Sequence, residues 1–325
     1  MAASIARNVM REKARPFLGL GVFLAAMFAL APARAEDWPT YLHDNQRSGV
    51  TPETLPLPLQ QAWVHTPRQA PRPAWPAPAK VDYWHKLTDL AARVTYDRTF
   101  HVVAAADAIY FSSSAEDKVV CLDAATGRVR WTFLAGGPVH LAPAVADGKV
   151  YVGSDDGWVY CLAAGSGAEV WKHRAEPAGR QLIGNGRLIA ASPVRTGVLV
   201  EEGLTYAGEG IFPWEGVRLA ALDARDGSPR WSVQPPNLSP QGYLLASGAH
   251  LYVPTGRTAP AMFRRANGEP DGSVKGAGGT DAALAGNLVL NGPGKIGQIE
   301  VFDTAKGAQI TSFNARRAVA TDKTF

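Results

Sequence analysis

The chain is poor in the residues that metal, redox and nucleotide chemistry require. Its 325 residues include only two cysteines, Cys121 and Cys161, in neither a Cys-x-x-Cys nor a Cys-x-x-Cys-His spacing, so a redox dithiol and an attached haem lack their sequence basis. The seven histidines are scattered, without a close pair or a His-Glu-x-x-His, and predict no zinc site. Asp155-Asp156-Gly157 lacks the ligand spacing of a calcium loop. Gly208-Glu209-Gly210 is not followed by Lys-Ser/Thr, which excludes a phosphate loop. Ser154 and Ser192 lie outside any nucleophile-elbow pattern. No catalytic, cofactor-binding or metal-ligating residue is therefore assigned, and no cofactor is expected.

An excess of positive charge is missing too, once the chain is divided. Residues 1–35 read as a secretory signal: Arg7, Arg11, Lys13 and Arg15 lead, Phe17 to Ala31 is apolar, and Ala33-Arg34-Ala35 offers small residues for cleavage before Glu36. The apolar run is short for a membrane span. No cysteine stands at the cleavage point for lipid attachment, and the segment has no adjacent arginine pair. It carries five basic residues and one acidic residue, leaving 28 of each sign in the mature chain. The pI of 9.1 thus belongs mainly to the export signal, and nucleic-acid binding loses the basic footprint it needs. The expected location is periplasmic or secreted, with no stable membrane span after signal removal.

What is abundant is turn material, with 33 glycines and 24 prolines, set in a repeat. The apolar residue before a small turn falls at Leu122, Leu162, Leu222, Phe263 and Phe302, in steps of 40, 60, 41 and 39 residues. A turn glycine follows at Gly127, Gly167, Gly227, Gly268 and Gly307, and Trp131, Trp171 and Trp231 stand four residues beyond the first three. Tyr110, Tyr151, Tyr206, Tyr252 and Val289 mark each unit upstream. Short Val- and Tyr-rich runs such as 149–153 and 158–163, separated by Ser154-Asp155-Asp156-Gly157, read as hairpin strands. A period near 40 built from several strands suits the blades of a β-propeller. The indoles are expected to fill the gaps between neighbouring blades. Cys121 and Cys161 share one register, where other copies place Ala221 and Met262; equivalent strands lie too far apart for a bridge, so both are expected as buried free thiols.

Two regions depart from the repeat. The 60-residue step holds added material before its blade and again around 196–202 and 207–217. Arg195, Phe212, Trp214, Glu215 and Arg257 lie in such departures and are the rim candidates for ligand or partner contact. Residues 36–100 form an irregular Pro- and Trp-containing leader expected to pack on the propeller. Its segment 61–65 is a possible strand for the last blade, and Trp75 and Trp84 read as a satellite core, with ligand platforms as the alternative. Residues 101–325 are the propeller repeats.

Val150-Tyr151-Val152-Gly153-Ser154-Asp155-Asp156-Gly157 through Cys161-Leu162, with Gly167 and Trp171, resembles the tryptophan-containing repeats of the pyrroloquinoline-quinone-type β-propeller superfamily. That superfamily includes quinoprotein alcohol dehydrogenases and the propeller lipoprotein of outer-membrane barrel assembly. Cys121-Leu122-Asp123-Ala124-Ala125-Thr126-Gly127 through Trp131, and Leu222-Asp223-Ala224 with Gly227 and Trp231, repeat the pattern. Trp38-Pro39-Thr40-Tyr41, Arg47-Ser48-Gly49 and Pro193 to Gly197 are similar to segments of large exported bacterial quinone-repeat proteins. The resemblance implies an all-β propeller of four-stranded blades, five legible here where complete rings usually have seven or eight, so a truncated ring is expected. Two functions remain open. One is a noncatalytic platform for a protein or small ligand; the other is a quinone-dependent dehydrogenase of alcohols or sugars using calcium. The dehydrogenases' adjacent-cysteine lid and Asp-Glu-Asn calcium set have no counterpart in this sequence, which favours the platform.

Overall fold

The computed structural model describes residues 35–71, 99–176, 179–184, 186–211, 213–256, 258–276, 278–279, 281–293, 297–315, 317–321 and 324. Contacts divide the chain into residues 1–35 and 36–325. The signal-like residues 1–34, Trp75, Trp84, Phe212 and Arg257 lie outside the described residues.

Among the described residues, five four-stranded antiparallel meanders follow one another along the chain. The first is β1 (Val103–Ala105), β2 (Ala108–Ser113), β3 (Lys118–Asp123) and β4 (Val129–Leu134). The second is β5 (Ala144–Ala146), β6 (Lys149–Gly153), β7 (Val159–Ala163) and β8 (Glu169–His173). An inserted hairpin, β9 (Gln181–Gly184) and β10 (Arg187–Ala190), and a short strand, β11 (Thr196–Gly197), precede the third sheet. That sheet holds β12 (Leu199–Glu201), β13 (Leu204–Glu209), β14 (Arg218–Asp223) and β15 (Pro229–Val233). After β16 (Gly242–Tyr243) come the fourth sheet, β17 (Leu245–Ala246), β18 (His250–Val253), β19 (Ala261–Arg264) and β20 (Pro270–Ser273), and the fifth, β21 (Asp281–Ala285), β22 (Leu288–Gly292), β23 (Gln298–Asp303) and β24 (Ala308–Asn314). The all-β character and the predicted strands 149–153 and 158–163 are borne out, the latter to within one residue.

Local chemistry explains the regularity. Asp147 and Gly148 take φ of 48° and 70°, the paired left-handed geometry that a two-residue hairpin between right-twisted strands requires. Each third strand pairs with its outer strand until the register shifts at one point, between Cys121/Leu122, Cys161/Leu162, Ala221/Leu222, Ala261/Phe263 and Val301/Phe302. The extra outer-strand residue bends that strand at the turn.

The tryptophans join one sheet to the next by a single geometry. The Trp131 indole lies on Gly167 of the following turn, where an added Cβ would meet its ring at 2.6 Å; Trp171 on Gly227 and Trp231 on Gly268 repeat this at 2.6 and 2.5 Å. Each indole N–H donates to the carbonyl three residues before that glycine: Trp131 to Ala164 at 2.8 Å, Trp171 to Ala224 at 3.2 Å and Trp231 to Arg265 at 2.8 Å. The Tyr110 and Tyr151 hydroxyls donate to the same Ala164 and Ala224 carbonyls. The ring is buried on its apolar faces while its one polar atom is satisfied. Cys121 and Cys161 are buried free thiols on separate strands, β3 and β7, and burial pushes each up to about 11.

Trp63 follows the same rule from outside the repeats. It lies on Gly127 at 2.5 Å and donates to Ala124 O at 2.9 Å. The fifth sheet, in the order β21-β22-β23-β24, does not include this segment, and Trp63 docks on the first. Residues 61–65 form no ladder strand, because no third strand lies beside them among the described residues.

Candidate functional site

Residues 36–50 lie across the innermost strands of all five sheets. Trp38 and Ala104 of β1 exchange two backbone hydrogen bonds, and the Val145 N–H of β5 donates to Pro39 O at 2.8 Å. The Asn45 amide donates to Val200 O of β12 at 2.7 Å. Ala246 N–H of β17 donates to Asn45 O, Leu284 N–H of β21 to Gln46 O, and Ala320 N–H to Ser48 O. Left-handed φ angles at Leu42, His43, Arg47 and Gly49 coil the segment. The Asp44 carboxylate ties the coil by accepting from the backbone of Gln46 and Ser48 and from the Ser48 hydroxyl. The segment thus supplies backbone partners that the inner strand edges would otherwise take from water.

Arg47 anchors this hub and is fully buried. Its guanidinium donates to Leu244 O, the Thr40 hydroxyl, Tyr41 O and Asp44 O. It also lies over the Tyr243 ring, 5.6 Å from the centroid. Burial lowers Arg47 to about 10, so it stays charged at neutral pH. Tyr41 stacks on Tyr243 with centroids 3.7 Å apart and planes within 7°, and on His101 at 5.1 Å. The Tyr243 hydroxyl meets His101 Nδ1 at 2.7 Å and accepts from Ala142 N–H at 2.7 Å. Burial first, then Asp281, raises Tyr41 to about 12, and burial drives Tyr243 well above the ordinary range. Asp281 is itself raised by burial, against the pull of Arg317. Beside the hub, Glu36, Asp37, His43, Asp44 and Asn45 line an acidic recess of about 410 Å³.

The insertions form a second feature. In an up-and-down meander, the β13–β14 connection and the connections between sheets emerge at the same strand ends, so both blocks of added residues share a side. Pro193 to Gly197 stitches this region together. Gly210 N–H donates to Pro193 O, Arg195 N–H to Gly208 O, and Gly208 N–H to the Thr196 hydroxyl. β11 pairs in parallel with β16, which carries Tyr243, so this segment also supports the aromatic stack. The Arg195 side chain is 3.6 Å from Asp155, whose other oxygen meets His140 at 2.7 Å. Burial alone would raise Asp155, but His140 and Arg195 prevail and hold it below the usual range.

Glu209 is buried at the base of the insertion. Burial raises it to about 8, outweighing the Ala175 N–H bond and the Arg218 and Arg174 charges. Arg187 on the inserted hairpin donates to Ser114 O and Asp117, reaching a hairpin of the first sheet. Arg180 holds Glu176 at 2.7 Å and lies 3.6 Å from Glu215. Trp214, on the short 3-10 turn Pro213–Glu215, is 78% exposed, as are Ile183 (81%) and Leu188 (57%), paired opposite one another on the hairpin. Of the predicted rim residues, Trp214 and Glu215 lie together on an exposed turn, whereas Arg195 is tied into the Asp155 cluster. Sequence reasoning missed the hub. Its only signal was the dense Trp38-to-Gly49 segment, which has no repeat partner to reveal its register.

The family described as outer membrane protein assembly factor BamB matches residues 81–233. A curated relative, the serine/threonine-protein kinase AfsK of Streptomyces coelicolor, is 35% identical over a 197-residue alignment that covers 51% of this chain and 22% of that protein. The quinohemoprotein alcohol dehydrogenase of Comamonas testosteroni superposes on 86% of this chain and 49% of its own, with a TM-score of 0.56 and 18% identity. The computationally designed protein Ika8 superposes on 71% of this chain and 67% of its own, with a TM-score of 0.52 and 16% identity. A kinase, a dehydrogenase and a designed protein share the likeness, so the fold alone names no reaction.

Proposed function

Starting from a chain with the PQQ-repeat, BamB-like β-propeller fold, we propose that it is an exported, noncatalytic platform that binds a protein or small ligand at the insertion-bearing side of the sheets. One contrast carries this reading. The chain's own residues 36–50 fill the place where the inner strands converge, whereas the departures from the repeat gather on one side and present Trp214, Ile183 and Leu188 to solvent. Loops grafted on a rigid repeat scaffold are the usual location of recognition. Removal of residues 1–35 and a periplasmic or secreted location belong to the same proposal; among the described residues no helix is long and apolar enough to cross a membrane.

The dehydrogenase alternative asks for a quinone and calcium, and two observations on the described residues weigh against it. Cys121 and Cys161 are buried in different sheets and form no adjacent-cysteine lid. Among the described residues no three His, Cys, Asp or Glu side chains gather into a cation site. Incubating the purified mature chain with pyrroloquinoline quinone and calcium tests the platform reading: no quinone absorbance is expected to be retained on desalting. Stoichiometric retention with electron transfer to an artificial acceptor would overturn it.

A further inference from the structure

The turn between β23 and β24 has the parts of an indole seat, without the indole. Its strands pair Phe302 with Gln309 at the register shift, as Leu122 pairs with Val129, Leu162 with Glu169, Leu222 with Pro229 and Phe263 with Pro270. Gly307 has a left-handed φ of 61°, beside 68° to 75° at the four glycines that carry a ring. Thr304 O stands three residues before it, where Ala164 O, Ala224 O and Arg265 O accept an indole N–H, and takes no donor among the described residues. Gly272 holds the tryptophan register of the fourth sheet, so no ring arrives.

Solvent reaches this seat. Gly307, Thr304 and Gly272 are exposed, whereas Gly127 and Gly167 are half-buried and Gly227 and Gly268 buried beneath their rings. Among the described residues only the Lys275 amine comes within 4 Å of a Cβ added at Gly307, at 3.9 Å. That exposed ammonium is held there by one hydrogen bond, to Gly307 O, and yields at little cost. Met262 takes the register that Cys121, Cys161 and Ala221 hold under the other rings, and its unbranched side chain can repack around a guest. We propose that the gap between the fourth and fifth sheets binds an indole carried by a small molecule, with the ring on Gly307 and its N–H donating to Thr304 O. The three internal seats specify the guest, because each joins the same turn glycine and carbonyl to the same ring. β20 already fills the outer-strand position beside the gap, so a ring fits but a further strand does not, which selects a small molecule over a polypeptide. In a meander the β23–β24 turn emerges at the strand ends opposite the insertions. The seat is therefore additional to the recognition surface proposed above.

The probe is 5-fluoroindole, titrated with the full mature chain and followed by fluorine NMR. A saturable shift in the millimolar range is expected for so small a ligand. The 1-methyl analogue has no N–H to donate and is expected to bind about threefold or more weakly. Gly272→Trp supplies the ring from within, as the other sheets do, and is expected to abolish binding and raise the thermal midpoint by about 2 °C or more. Gly307→Ala sets a methyl group where the ring must lie and is expected to abolish binding as well; thermal denaturation checks that both variants remain folded. No saturable shift, equal binding of the methylated analogue, or undiminished binding in a folded variant overturns the proposal. Displacement of the probe by a peptide of residues 229–233, which carries Trp231, at lower concentration than by N-acetyltryptophanamide overturns it too, because the seat then prefers a polypeptide.

Discussion

The sheets meet in two ways. Between the first and second, second and third, and third and fourth, an indole seats on a left-handed turn glycine and donates to a turn carbonyl. Between the fourth and fifth, the tryptophan register holds Gly272, around which an added Cβ would find open space, and Lys275 donates instead to Gly307 O at 3.0 Å. The first kind buries a large apolar ring and satisfies its N–H. At the second, one exposed charged hydrogen bond over a flexible stem stands at that register, which solvent competes for, while Leu245, Tyr252, Leu284, Val289 and Phe302 supply the buried apolar contact. One repeat pattern therefore yields two kinds of contact at this register, and the difference lies in a single side chain.

Substitutions can break that contrast. Trp131→Ala should destabilise the chain most, by about 3–5 kcal/mol as expected for deleting a buried tryptophan, read from a denaturant midpoint. Gly167→Ala should cost roughly 2–4 kcal/mol, since its φ of +71° and the 2.6 Å approach of the Trp131 ring add backbone strain to overpacking. Gly307→Ala has φ of +61° but meets only the Lys275 amine, at 3.9 Å, so roughly 1–2 kcal/mol of backbone strain should remain. Equal losses at the two glycines would mean that indole seating contributes nothing.

The interface of the second and third sheets also carries the insertion, and Glu209 beneath it offers a pH test. Its folded value of about 8 lies above the ordinary carboxylate value, so the folded state holds a proton that the unfolded state has released. The associated stability is fully present below about pH 4.5 and is lost as pH rises to about 8. Glu209→Gln should therefore flatten the decline in this window by about 1 kcal/mol per pH unit, measured as a difference in denaturation free energy between variant and parent. Parallel curves would show that Glu209 is ionised throughout. The smallest effect belongs to Lys275→Ala, at about 0–1 kcal/mol. A loss matching that of Trp131→Ala would erase the contrast between the two kinds of interface.

The legible part of this molecule was the part that repeats. Gly127, Gly167 and Gly227, each followed by a tryptophan at the same distance, gave away the turn, the outer strand and the interface together, because one backbone geometry demands the same residue at each occurrence. Trp63 obeys the same rule from outside the repeat, and which of the five turn glycines it takes is selected by packing. Arg195 was a fair rim candidate by its place in an insertion, but its charge is spent on Asp155, a pairing set by two loops 40 residues apart.

By itself the sequence determined the all-β class, the 40-residue period, the hairpin and turn positions and the register of the buried cysteines. All of these follow from short-range backbone preference and alternation of side chains. Only the tertiary structure decided that residues 36–50 form a hub against five sheets, that Arg47 is buried within it, and that Trp63 seats on the turn of the first sheet. These depend on backbone hydrogen bonds between segments as much as 272 residues apart, and a main-chain N–H or carbonyl leaves no mark in the identity of the residue that bears it.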